Sequence, residues 1–119
     1  MRSILKAMAV VCLVSVPALA AAYKCSGDRV EKGGSTQYTV RTSGSDITIE
    51  KGGSTKGKAV KRGSKYAVEV GGSTVATFEN GKIEKGGSSW ATVSEAQNMF
   101  DCGGDVAATL WVLMKNGNL

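Results

Sequence analysis

The chain contains no histidine. That absence removes the usual general base at neutral pH and the commonest metal ligand. A Ser-His-Asp or Cys-His pair is excluded outright. Acidic residues are also few, 10 against 15 lysines and arginines. Proline occurs once, at Pro17. Gly, Ser, Thr and Lys dominate what is left, so a thin core is expected, of the kind that usually needs a covalent staple. No apolar run reaches the roughly 20 residues of a permanent membrane helix. Nothing in the residue pattern asks for a cofactor or a metal, and catalysis is not expected.

The first residues are those of an export signal. Arg2 and Lys6 precede an apolar run from Ala7 to Val16, Pro17 breaks it, and Ala18-Leu19-Ala20 is a small-residue A-x-A site. Residues 1–20 read as a signal peptide, with cleavage after Ala20 or Ala22. Residues 21–119 read as a single mature domain, since about one hundred residues support one modest core. Export places the mature protein in the periplasm or outside the cell. Two cysteines remain there, Cys25 and Cys102. In an oxidising compartment this even pair, near opposite ends of the domain, reads as one disulfide. Free thiols, metal ligands or a redox site are the alternatives, but no histidine is present and neither cysteine lies in a C-x-x-C.

A motif recurs four times, at Glu31-Lys32-Gly33-Gly34, Glu50-Lys51-Gly52-Gly53, Glu69-Val70-Gly71-Gly72 and Glu84-Lys85-Gly86-Gly87, followed each time by Ser and then Thr or Ser. Val30, Ile49, Val68 and Ile83 hold the same place before the doublet. Apolar and polar residues alternate on both sides, and Gly-Gly supplies the positive φ of a tight turn, so each repeat reads as a β-hairpin. Thr42 to Ser45, Arg62 to Ser64 and Asn80-Gly81 read as the connecting turns. In the second repeat Gly57 and Ala59 stand where the first has Tyr38 and Val40. That strand buries little, which predicts an edge or a bend, with self-association near Lys56 as a consequence.

The strands share an apolar face of Val30, Tyr38, Val40, Ile47, Ile49, Tyr66, Val68, Phe78, Ile83 and Val93. The C-terminal segment is expected to cover it. Ser94 to Gln97 reads as a capping box opening a short helix that runs to about Cys102. Gly103-Gly104 ends it, and Asp105 caps a second helix, Val106 to Lys115, which is apolar almost all round and therefore buried. A strand over Thr109 to Met114 is the alternative. The fold class is thus mainly β: an antiparallel hairpin meander over residues 28–93, capped by short helices over 94–119, with a β-solenoid as the alternative.

Candidate binding residues follow from charge. Lys51, Lys56, Lys58, Lys61, Arg62 and Lys65 form a stretch that no acid interrupts. Such a stripe fits an anionic envelope component or a protein; nucleic acid is not an expected partner of an exported chain. The commoner reading of such lysines is a solvated sheet edge that resists pairing. Trp90 falls on the outward register of the last hairpin, where it would stack on a sugar or anchor a protein partner. Its alternative is packing against the helix that follows. Glu31, Glu50, Glu69 and Glu84 occupy equivalent positions and read as charge partners of the lysines rather than a catalytic pair. Gly52 to Ala59 approaches the phosphate-loop pattern but ends in Ala59, which has no hydroxyl for a magnesium ion.

Tyr23-Lys24-Cys25, the repeats, and Phe100-Asp101-Cys102 running into the apolar tail together resemble a group of small exported bacterial proteins of unknown function. The resemblance implies compartment and fold, not activity. A fainter one links Tyr23-Lys24-Cys25 and Arg62-Gly63-Ser64-Lys65-Tyr66 to periplasmic lysozyme inhibitors, whose Ser-Gly-x-x-Tyr loop enters the enzyme cleft. Two roles are therefore expected: a non-catalytic binding or structural module of the envelope, or an inhibitor acting through residues 64–66.

Overall fold

A computed structural model describes residues 21–119. The signal peptide expected over 1–20 lies outside the described residues. The chain runs β1 (Tyr23–Ser26), β2 (Arg29–Lys32), β3 (Ser35–Ser43), β4 (Asp46–Lys51), β5 (Ser54–Arg62), β6 (Lys65–Val70), β7 (Ser73–Glu79), β8 (Lys82–Lys85), β9 (Ser88–Thr92), α1 (Val93–Met99), β10 (Phe100–Asp101) and α2 (Gly104–Lys115). The strands form a 10-stranded sheet in which β1 to β9 follow in chain order and β10 flanks β1. It is an antiparallel meander, open rather than closed into a barrel, and no solenoid is needed. Only the β1–β10 pair is parallel.

Each Gly-Gly forms a two-residue turn with both φ angles positive, as at Gly52 (60°) and Gly53 (82°). This is the turn whose twist matches the flanking strands. Asn80-Gly81 makes the same turn, as its sequence predicts. All Gly-Gly turns lie at one end of the sheet, and the remaining turns lie at the other.

Every Gly-Gly hairpin carries the same bulge. Ile49 opposes Gly57 and Glu50 opposes Thr55, so Lys56 is the extra residue. Gln37, Val75 and Trp90 are its equivalents in the other hairpins. Straight across the strands run Arg29–Thr39–Glu50, Thr48–Lys58–Glu69 and Ala67–Thr77–Glu84. Each repeat is thus shifted by two residues against the one before it. A stagger of this kind, with bulges that add twist, curls a sheet.

The curl encloses α2. Ala107 to Leu113 are all buried, on every side of the helix. A helix lying on a flat sheet keeps one side wet; this one is wrapped by β4, β5 and β6 and closed by α1 and β10. Thr109, the one buried polar side chain among the described residues, donates from Oγ1 to the Asp105 carbonyl at 2.8 Å.

Several expectations are corrected. The first helix is capped by Thr92, not Ser94. Thr92 Oγ1 accepts from the Glu95 amide at 3.1 Å, and Glu95 Oε1 accepts from the Thr92 amide at 2.8 Å. Both residue pairs fit the capping pattern, but Glu95 adds a negative charge to the positive helix end, which Gln97 does not. Val93 therefore opens α1 instead of extending the apolar strand face. Gln97 reaches forward, donating to the Cys102 carbonyl at 3.2 Å. The helix stops at Met99, short of Cys102, because Phe100 turns extended, is fully buried, and pairs with Tyr23. That pairing brings Cys102 to Cys25, and the two form a disulfide with 5.1 Å between Cα atoms. The second helix is capped by Gly103 and begins at Gly104, with Asp105 in its first turn; the strand alternative for its core is overturned.

The second repeat is not an edge. β5 lies inside the sheet between β4 and β6, so no free strand near Lys56 supports self-association. Its small residues serve the helix instead. A Cβ built on Gly57 would collide with Leu113 Cδ2 and come within 3.0 Å of Cδ1. The poorest strand of the sheet is where Leu113 of α2 leaves no room for a side chain.

Candidate binding surface

The two faces of the sheet carry their charges differently. On the face away from α2, arginines are matched to the repeat glutamates. Arg41 meets Glu50 at 3.0 Å, Arg62 meets Glu69 at 2.8 Å, and Arg29 lies 3.8 Å from Glu31. Glu84 lines a shallow cleft with Lys65 and Lys82. Three of the four repeat glutamates, Glu31, Glu50 and Glu69, are thus paired with arginine, in a column along the sheet rather than as a converging acid pair.

The helix side is different. Among the described residues no lysine of either face makes an ion pair, and what sets the helix side apart is what its lysines touch. Lysines there rest on aromatic rings: Lys32 over Tyr23 at 5.3 Å, Lys51 over Tyr38 at 5.8 Å, Lys85 over Trp90 at 4.8 Å, and Lys115 over Trp111 at 5.7 Å. Strand alternation explains the placement. The residue just before each Gly-Gly is the inward neighbour of an outward glutamate. Lys115 joins them because α2 ends over the same end of the sheet, where Leu113 meets Gly57. The ring faces attract the ammonium groups and hold them in place.

The bulge decides where Trp90 goes. Trp90 is not on the outward register: two consecutive residues turn to the helix side, and its ring meets Trp111 edge-on at 4.9 Å. Val75, its equivalent, also packs against the core. Lys56 holds that place in β5 and shares a notch of about 180 Å³ with Val70.

The sequence stripe is therefore divided. Lys51 and Lys56 belong to the helix side at the Gly-Gly end. Lys61 sits at the other end, 5.1 Å from the Tyr66 ring centre. Lys58, Arg62 and Lys65 face away from α2 by register. Sequence reasoning missed Lys32, Lys85 and Lys115 because it counted consecutive cations. The repeat itself carried the signal, since three of its four doublets are preceded by lysine. The loop around Ser64 is tied down: Arg62 pairs with Glu69, Ser64 donates to Glu79, and Tyr66 stacks on Phe78 at 4.9 Å.

Burial holds the Tyr66 phenol above its ordinary value, and the Asp105 carboxylate raises it further. Burial does the same for Tyr38, helped by the neighbouring Tyr23. Among the described residues no cluster of acids and cysteines fits a metal ion, and no helix is long and apolar enough to cross a membrane. No family model, curated protein or solved structure matches the chain.

Proposed function

We propose that the protein is exported and serves as a non-catalytic binding module of the cell envelope, holding an anionic envelope component at the Gly-Gly end of its sheet. One observation carries this reading. On one face Arg29, Arg41 and Arg62 are matched to glutamates, while on the other Lys32, Lys51, Lys85 and Lys115 gather at one end of the sheet with ring faces beneath them and no carboxylate partner. A cation left without an internal anion keeps its field for an external one. The disulfide supports an oxidising compartment, and the absence of histidine supports a role without catalysis.

The test is retention on isolated envelopes. Changing Lys32, Lys51, Lys85 and Lys115 together to Ala abolishes retention, whereas changing Lys65 and Lys82, which line the separate cleft on the opposite face, leaves it intact. Raising salt from 0.15 to 1 M shortens the screening length from about 8 to about 3 Å and releases the wild-type protein. Retention that ignores both salt and these lysines would refute the proposal.

A further inference from the structure

The Gly-Gly tips form a staircase. Neighbouring tips are two strands apart and, through the two-residue shift of each repeat, are also displaced along the strand. Standard strand spacing and rise place them about 12 Å apart along the sheet surface, so that the row of tips covers about 35 Å. Lys32, Lys51 and Lys85 occupy the same position at the first, second and fourth tips. The third has Val70 instead, but Lys56 lines the notch beside it. One cation is thus supplied at each step of the row.

Between tips lie equivalent notches. One is lined by Thr55, Lys56, Lys58, Glu69 and Gly71, and the next by Thr74, Val75, Glu84 and Gly86. Their hydroxyls and carboxylates suit the hydroxyl groups of a sugar chain. A bilayer surface fits poorly. The tips present Gly, Ser and Lys, with Val70 as the one apolar side chain available to enter lipid.

We infer, resting on the binding role above, that the ligand is a linear acidic polysaccharide lying across the strands along the row of tips, so that successive anionic groups meet successive lysines. Binding of this kind is multivalent. Each tip reached by the same chain adds its contact at the effective concentration set by the tip before it. Affinity then depends on ligand length up to the span of the row and not beyond it.

The experiment uses the oxidised protein and oligogalacturonates of graded length, from shorter than one tip spacing to longer than the whole row. Affinity is expected to climb with length, together with its salt dependence, and to level off once the oligomer spans about 35 Å. Val70→Lys supplies the missing tip lysine, and its stem retains the packing of the valine. It should tighten the longest oligomer by about two- to fivefold, the effect of one exposed charge pair, and leave the shortest unchanged. Affinity that is independent of length, or a Val70→Lys gain equal at all lengths, would overturn the inference. So would binding to phosphatidylglycerol vesicles without binding to the oligosaccharides, although envelope retention through the lysines would then still stand. Failure of the wild-type protein to be retained on whole envelopes is the separate result that removes the binding role itself.

Discussion

Gly57 gives the sharpest test of how the sheet holds its helix. It lies outside the positive-φ region, so alanine is allowed there by the backbone. In an open strand Gly57→Ala would stabilise the protein by about 0.4–1 kcal/mol, through a less free unfolded chain. Here the new methyl would overlap Leu113 Cδ2 and sit 3.1 Å from the Glu69 carbonyl oxygen. Overpacking of this kind costs about 1–3 kcal/mol, so the sign reverses and a net loss of about 1–2 kcal/mol is expected. Leu113→Ala alone removes a fully buried side chain and costs about 2–5 kcal/mol. In the double variant the clashing Cδ atoms are gone and the new methyl fills part of the space they leave. The double variant is therefore more stable than the sum of the singles by at least about 1 kcal/mol. Urea unfolding read by tryptophan fluorescence measures all three variants, since Trp90 and Trp111 are in contact and separate on unfolding. A neutral or stabilising Gly57→Ala, or costs that add within about 0.5 kcal/mol, would show that α2 does not seat against Gly57.

Opening the Cys25–Cys102 bridge, which spans 77 residues, should cost about 4 kcal/mol by loop-closure entropy, and thermal unfolding with and without reductant checks it. Thr92→Ala should lower stability by about 1 kcal/mol and Ser94→Ala by far less, because only Thr92 accepts the helix amide; equal effects in denaturant titration would contradict the assigned cap. Stability should also fall in alkali. The raised Tyr38 and Tyr66 values mean that the folded state holds these protons more tightly than the unfolded one. Their contribution is full below the unfolded value near 10 and disappears as pH climbs through the folded values. Tyr66→Phe should shallow that decline above about pH 10, and an unchanged slope in urea midpoints against pH would refute the account.

Much of the architecture was legible because its determinants are local. Gly-Gly between alternating residues specifies a hairpin wherever it occurs, and a segment apolar on all sides specifies a helix that must be enclosed. The pairing of Cys25 with Cys102 followed from count and compartment alone. The binding surface was only half legible. Counting cations along the chain found Lys51 and Lys56 but joined them to Lys58, Arg62 and Lys65, which strand alternation sends to the other face.

What local pattern could not settle was whatever depends on two distant segments at once. A bulge is a mismatch of register between strands, so the side taken by Trp90 is undefined until β8 and β9 are paired. The two-residue strand at Phe100 exists only because β1 offers it an edge. Gly57 looks like a weakness until Leu113 arrives from the far end of the chain to use the space. The amino-acid order alone determined that this protein is a disulfide-closed meander of glycine-turned hairpins with a buried tail. Only the tertiary structure decided the stagger, the curl and the face on which each lysine lies, because these are set by hydrogen-bond register between strands and by the helix that the sheet has to fit.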